Sequence, residues 1–311
     1  MTHPNSPVSS GSSGSPASSG DDWLYARVHH AGNSDGERLL CSFVPAWRDA
    51  ALRAGATGWF FIRYADAGGP HLRVRFRGTP EVLDDVFAVG RDLWSRTADV
   101  PVPAGGPRRL HPEADSWMAV GGHRRLGFGV YGREHHYYGA PAAVRVAEQV
   151  FDRGSDFALR AVAATAADPA LAHPHRAVLA RDAMDRCLDL LLDAARQERF
   201  RALHTAYWSG RAPDGPPDPR LLGLAADCAA ALGAGPDADV RAAARGLGED
   251  MAAGVRRALD ADPSANASRL LLMQVHMTFN RLGLLPLEEA VAALMTRCPQ
   301  GAPRPAPARG R

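Results

Sequence analysis

Strand-type and helix-type hydrophobic patterns occupy separate parts of this chain, and that separation restricts the possible folds more than any other feature. Apolar and polar residues alternate over WLYARVHH (23–30) and on both sides of a turn in WFFIRYADAGGPHLRVRF (59–76). From Pro141 onward, apolar residues recur at the helical spacing instead. Alternating strands and helices would give a doubly wound sheet, whereas segregated ones favour an α+β fold. We predict a single α+β domain in which a mostly antiparallel sheet packs against a large helical portion.

Individual elements follow from the same patterns. The stretch 32–37 (GNSDGE) has the composition of a turn, and 39–55 predicts a helix that ends at Gly55. Thr79 and Pro80 are suited to start a further helix. The segment 100–138 is rich in Gly, Pro and aromatic residues and predicts loops with short strands. The stretch 175–210 predicts one long helix.

The two ends differ from the body of the chain. Residues 1–21 consist mainly of Ser, Gly and Pro, which predicts a disordered leader, and 300–311 predicts a disordered tail. The folded domain is expected over 22–299. The leader has no basic stretch followed by an apolar one, so it does not resemble a secretion signal. No apolar run is long enough to cross a membrane.

Charge and cysteine content exclude further classes. Lys and Arg total 36 against 34 Asp and Glu, giving a net charge of +2, and every one of the positive side chains is arginine. Such a balance argues against direct nucleic-acid binding, which needs a strongly basic surface. Cys41, Cys187, Cys228 and Cys298 lie far apart without a CxxC spacing, which argues against a structural zinc site or a disulfide framework. We expect a soluble cytoplasmic protein that contacts no membrane.

Two arginines form the first candidate site. Arg73 and Arg75 alternate with Leu72, Val74 and Phe76, so on a strand both guanidinium groups project from the face opposite the core. Paired guanidinium groups can hold a carboxylate or phosphate with two hydrogen bonds each. The alternative is a solvated sheet face, and the pattern leaves both open.

The run GVYGREHHYYGAP (129–141) forms the second candidate site. It concentrates ionisable and aromatic side chains between glycines, which is typical of a loop that lines a site. Glu134 could orient a base or pair with an arginine; an ordinary structural Arg–Glu pair is the alternative. His135 and His136 have no third ligand at a metal-binding spacing, so we expect no metal.

The third candidate is His276, in the predicted helix LLLMQVHMTFNRLGL (270–284). Leu270, Met273, Met277 and Leu284 fit a buried stripe, and His276 lies on the adjoining arc. The pattern does not distinguish a core histidine from one that transfers protons.

These three elements, in this order, resemble the C-terminal domain of lanthipeptide dehydratases, also called the thiopeptide-type bacteriocin biosynthesis domain. The resemblance rests on WFFIRYADAGGPHLRVRF, YGREHHYYGAP and VHMTFNRLGL and extends from Trp23 to about Arg297. In that family the domain removes glutamate from a glutamylated Ser or Thr of a leader-bearing precursor peptide, leaving dehydroalanine or dehydrobutyrine. No metal or redox cofactor is implied. The glutamylating domain of the family is not in this sequence, which implies a free-standing form and a separate glutamyl-tRNA-dependent partner.

The resemblance also implies roles for particular residues. The family's paired arginines correspond to Arg73 and Arg75, its loop glutamate to Glu134 and its helix histidine to His276. The arginines would clamp the leaving glutamate, Glu134 would hold an arginine in place and His276 would transfer the proton. The family's loop arginine is replaced here by Tyr137, a neutral hydrogen-bond donor.

The Tyr137 replacement leaves alternatives. Thiopeptide pyridine synthases resemble the same domain, lack the elimination residues and join two dehydroalanines in a formal [4+2] aza-cycloaddition with loss of water and leader peptide. A non-catalytic module that binds the leader is a third option. The leader is expected to add as a strand to an edge of the sheet. The oligomeric state is left open, with a homodimer as one option.

Overall fold

The computed structural model describes residues 22–97, 100–102, 106–111, 122–212, 214–233 and 235–295. The predicted disordered ends, 1–21 and 300–311, lie outside these residues. The strands are β1 (Asp22–His29), β2 (Gly58–Asp66), β3 (Gly69–Gly78) and β4 (Arg125–Gly129). The helices are α1 (Asn33–Cys41), α2 (Phe43–Arg53), α3 (Pro80–Thr97), α4 (His135–Tyr138), α5 (Pro141–Thr165), α6 (Ala172–Leu191), α7 (Ala194–Ser209), α8 (Pro219–Ala231), α9 (Ala238–Ala261), α10 (Ala267–Arg281) and α11 (Pro286–Leu294).

The strands form one antiparallel sheet in the order β2-β3-β1-β4. On β3 the even-numbered residues Leu72, Val74 and Phe76 are fully buried, as their alternation predicts. The rings of Trp47 on α2 and Phe76 lie 4.9 Å apart between centroids, so this face packs against α2. The odd-numbered residues of β3 point to the opposite face. The predicted α+β fold with an antiparallel sheet is therefore confirmed.

The larger hydrophobic core continues from the sheet into the helical portion. Phe61 on β2, Leu179 on α6, Val275 on α10 and Val291 on α11 are all fully buried members of it. Because these residues come from both halves of the chain, the sheet and the helices share one interior. No helix in the described ranges is long and apolar enough to cross a bilayer.

The outer edge of β2 is closed by side chains. The backbone N–H of Phe61 donates to Ser155 Oγ (3.1 Å), and its carbonyl accepts from Arg281 Nε (2.9 Å). The Asn280 amide accepts from the N–H of Arg63 and donates to its carbonyl, both at 2.9 Å. These contacts use the groups that an added strand would need. The β2 edge is therefore not available to the leader, and strand addition stays a prediction for the β4 edge.

The helix predicted over 39–55 is divided between α1 and α2 at Ser42, which leaves the helical conformation, and two other local predictions are wrong. The turn-like stretch 32–37 lies mostly within α1, because Asp35 is fully buried and forms ion pairs with Arg38 (2.9 Å) and Arg124 (2.7 Å). Burial by itself would raise the pKa of Asp35, but Arg124, the Ala31 N–H and Arg38 lower that pKa to about 2.

The second wrong prediction concerns the stretch 175–210, which is two helices instead of one. α6 ends at Leu191, and Asp193 caps α7 by accepting from the backbone N–H of Arg196 at 2.9 Å.

The segment 100–138 contains β4 and α4. Its residues 112–121 are not among those that the structure describes.

Candidate active site

Arg73 and Arg75 occupy the sheet face opposite the core. Across the two neighbouring strands, Arg75 is paired in register with Tyr25 on β1 and Phe60 on β2. Arg73 is paired with Arg27 and Ile62. Successive odd positions therefore place two guanidinium groups side by side on one face, as the strand pattern predicts.

Arg75 is a buried cation. Its residue is 5% exposed, and its guanidinium carbon lies 4.7 to 5.0 Å from the ring centres of Tyr131, Phe60 and Tyr25. Within the described residues, no carboxylate lies at ion-pair distance from it, and its Nε has no hydrogen-bond partner. Burial lowers the pKa of Arg75. Because an unpaired buried charge is unfavourable, this arrangement is typical of a site that receives an anion.

Arg73 is half-buried beside Arg75. Its guanidinium carbon lies 3.3 Å from the ring centre of Tyr64, and its Nε donates to His71 Nε2 at 3.4 Å. Gly127 on β4 is in register with Arg27, the β1 partner of Arg73, and a Cβ built on Gly127 would meet nothing within 4 Å. The sheet face is therefore open on this side.

The loop that carries Glu134 is tied to the helical portion. Asp262, which follows α9, accepts from the backbone N–H of Ala140 (2.8 Å), and Arg269 on α10 donates to the carbonyl of His136 (3.1 Å). Glu134 itself forms no ion pair in the parts of the chain that the structure describes. Its carboxylate acts on Arg75 through space, while neighbouring Arg133 pairs with buried Glu148 at 2.9 Å.

Tyr137 and Tyr138 point to different surroundings. Tyr138 is 3% exposed and packs with Phe60 and Phe151, so it belongs to the interior. Tyr137 is 38% exposed, with its ring 3.9 Å from that of His136. The tyrosine that stands where the family has an arginine is therefore accessible.

His276 is held by a carboxylate and an indole. Its Nδ1 lies 2.6 Å from Glu289 Oε1, and its ring stacks on Trp208 at 4.1 Å. Glu289 is fully buried, and its Oε2 lies 3.5 Å from Nε2 of buried His204. Because a carboxylate accepts a hydrogen bond from Nδ1–H, it selects the tautomer in which Nε2 is free to take a proton.

The five predicted residues form three groups. Arg73 and Arg75 share the sheet face, Glu134 and Tyr137 share the loop beside it, and His276 lies on α10 against α7 and α11. No direct contact joins His276 to either arginine among the described residues. The buried cluster of Phe60, Tyr138 and Met273 lies between the sheet face and α10 and links the groups.

The sequence patterns did not single out Tyr131 beside Arg75, Glu289 beside His276, or Arg281 as a second buried cation. Arg281 is buried with no carboxylate at ion-pair distance within the described ranges, and burial lowers its pKa to about 9. Tyr131 could have been suspected from the aromatic loop. No local signal identifies Glu289, because it reaches His276 from the next helix.

Comparison with known proteins identifies the family of the chain. The chain matches the family model described as lantibiotic biosynthesis dehydratase C-term over residues 23–298. Among curated protein sequences, none matches significantly.

Three solved structures have a similar fold. The tRNA-dependent lantibiotic dehydratase MibB from Microbispora sp. 107891 is 25% identical with a TM-score of 0.59; the match covers 91% of this chain and 28% of MibB. The pyridine synthase TbtD from thiomuracin biosynthesis is 18% identical with a TM-score of 0.59, covering 88% of this chain and 96% of TbtD. TsrL is 18% identical with a TM-score of 0.56, covering 89% of this chain and 94% of TsrL. Because the family model extends over nearly all of the described residues, the chain belongs to the lantibiotic biosynthesis dehydratase C-terminal family.

Proposed function

We propose that the protein eliminates glutamate from glutamylated Ser or Thr of a leader-bearing precursor peptide. The observation that carries the proposal is Arg75, a buried guanidinium group that has no counter-ion among the described residues and lies beside a second arginine on an open sheet face. A substrate whose leaving group bears carboxylates would supply the missing negative charge. Burial makes that recognition stronger, because water does not compete for the guanidinium.

The reaction needs a proton acceptor and an anion clamp. A base takes the Cα proton of the modified residue, the C–H electron pair forms the Cα=Cβ bond, and the Cβ–O bond breaks to release glutamate as its carboxylate. His276 is suited to take the proton at Nε2, because Glu289 holds the proton on Nδ1. Arg73 and Arg75 would bind the leaving glutamate, with Glu134 favouring the charged form of Arg75.

The substrate implies a supplier. Because elimination consumes a glutamate ester, a glutamylating activity must first attach that glutamate to the peptide from glutamyl-tRNA. MibB is a tRNA-dependent dehydratase of which this chain spans 28%. The proposed partner is therefore a glutamylating protein, and the protein itself would contact the peptide and not the tRNA.

Mass spectrometry of the cognate precursor, supplied in glutamylated form, tests the proposal. The unaltered protein should release glutamate, and Arg75→Met should reduce the rate by about 100-fold or more. We expect Arg75→Met to keep or increase the free energy of unfolding, because it removes an unpaired buried charge. Arg77→Met, on the same face of β3, is the matched control and should keep at least half of the activity. Release of glutamate by Arg75→Met at the normal rate would disprove the role of this arginine.

Tyr137 favours a second candidate function, the pyridine-forming cycloaddition. A neutral, accessible hydrogen-bond donor could assist the tautomerisation of two aligned dehydroalanines, whereas it clamps a carboxylate poorly. The same assay with fully dehydrated precursor distinguishes the two. Leader release with a pyridine macrocycle, and no glutamate loss from the first substrate, would replace elimination by cycloaddition. If the protein converts neither substrate, the non-catalytic module that binds the leader is the remaining function.

A further inference from the structure

A large apolar groove lies among α7, α9 and α10, outside the arginine face. It has a volume of about 1010 Å³. Its walls include Phe200, Leu203 and Tyr207 on α7, Leu259 on α9 and Leu271 on α10. That volume is large for a small-molecule pocket and is suited to part of a peptide.

The groove presents apolar side chains to solvent. Leu203 is 44% exposed, Tyr207 is 59% exposed and Tyr137 is 38% exposed, and all three line it. On α7 the lining positions Arg196, Phe200, Leu203 and Tyr207 recur every three or four residues, so they form one stripe along the helix. Exposed apolar surface concentrated in one groove indicates a binding site.

The rim of the groove is positively charged. Arg196, Arg199, Arg211 and Arg269 line it, and no Asp or Glu of the described segments does. Arg196 and Arg211 pair with Asp193 and Asp218 outside the lining. Arg199 is exposed and forms no ion pair with any described residue. An acidic partner would complement the positive charge of this rim.

The helical walls of the groove favour a partner that is itself helical. The main walls, α7, α9 and α10, are helices whose inner backbone groups are already hydrogen-bonded, so these walls offer no strand edge to an extended peptide. A helical ligand satisfies its own backbone and needs only side-chain contacts. The α7 stripe from Arg196 to Tyr207 is about 17 Å long at 1.5 Å per residue, which matches about three turns of helix.

We propose that this groove binds an acidic, amphipathic helical segment of the peptide substrate. The identity of the partner as a substrate segment rests on the proposed function. Tyr137 lines the groove and lies in the same loop as Glu134, so a segment bound there would hold the rest of the peptide close to the proposed reaction residues.

Fluorescence anisotropy tests this without any turnover. The probe is a fluorescein-labelled synthetic peptide of about 16 residues, with Leu at every third or fourth position and Glu at most others. Two comparison peptides carry Lys in place of Glu, or the same residues in scrambled order. We expect the acidic amphipathic peptide to bind, and Leu203→Glu and Arg199→Glu each to weaken binding about tenfold or more.

Matched variants control for stability and charge. Leu52→Glu alters an equally exposed leucine on α2, and Arg160→Glu reverses an exposed arginine on α5; both should bind the peptide normally. Absence of binding to the unaltered protein, equal binding of the Lys or scrambled peptide, or unchanged binding by the Leu203 and Arg199 variants would overturn the proposal. Because binding is measured directly, the groove can pass this test even if the elimination assay fails, and the reverse also holds.

Discussion

At the scale of single residues, His276 and Glu289 show how the fold prepares a side chain for proton transfer. The Glu289 carboxylate is fully buried and lies 2.6 Å from Nδ1 of His276. The imidazole ring also stacks on Trp208. A ring fixed on two sides loses little freedom when a substrate binds, and its tautomer is chosen in advance. Glu289 is thus a positioning residue for the proposed base.

Glu289→Gln separates positioning from folding. The amide keeps the shape of the side chain but donates as readily as it accepts, so the Nδ1–H tautomer of His276 loses its preference. We expect the turnover rate to fall about tenfold or more with unchanged peptide affinity. ¹⁵N NMR of the imidazole should show a smaller Nδ1–H population. Exposed Glu249, changed to Gln in the same way, should alter neither quantity. An unchanged tautomer population in the Glu289 variant would contradict this role.

At the scale of secondary structure, periodicity predicts what each element is but not what holds it in place. Leu72, Val74 and Phe76 are buried as their alternation requires, and α3 begins at Pro80, directly after Thr79, as expected. The stretch 32–37 is misassigned because two ion pairs of Asp35, one of them to distant Arg124, stabilise its helix. In the candidate site, the strand pattern places Arg73 and Arg75 on one face, whereas burial of Arg75 depends on Tyr131 from another segment.

The closed edge of β2 gives a prediction at this scale. Asn280→Leu removes both hydrogen bonds to the backbone of Arg63, and we expect it to lower the free energy of unfolding by about 1–3 kcal/mol. Hydrogen exchange should accelerate at the amide of Arg63, while the amide of Phe61 remains protected by Ser155. Gln149→Leu, on an exposed position of α5, should change stability by less than about 0.5 kcal/mol. If exchange at Arg63 is unaffected, Asn280 does not close this edge.

At the scale of the whole molecule, one carboxylate joins the sheet to the helical portion. Glu37 on α1 forms ion pairs with Arg63 on β2 (2.6 Å) and Arg176 on α6 (2.8 Å). Arg63 Nε also donates to the carbonyl of Arg281, and Arg176 Nε donates to Thr165. Two buried guanidinium groups thus share one counter-ion at the point where the two halves of the chain meet. Loss of that counter-ion would therefore destabilise both halves together.

Glu37→Gln is therefore expected to lower the free energy of unfolding by about 3–5 kcal/mol at pH 7, because both arginines lose their counter-ion. Burial opposes ionisation of Glu37, but Arg63 and Arg176 outweigh it and hold its pKa well below the ordinary range. A depressed pKa stabilises the folded state above the pKa of the unfolded chain, about 4.3, and that contribution is lost as the pH falls. The difference between the unaltered protein and the variant should therefore shrink by about 1–2 kcal/mol between pH 5 and pH 3.

Urea unfolding followed by tryptophan fluorescence and by far-ultraviolet circular dichroism measures this difference. The two signals should remain coincident in the variant, because the sheet and the helices share one core. Exposed Glu249, which pairs with Arg186, is the matched control, and its change to Gln should cost less than about 1 kcal/mol. A Glu37→Gln penalty that does not depend on pH would show that lost packing, and not charge, explains it. Separate transitions for the two signals would show that the network, more than the shared core, couples the two halves.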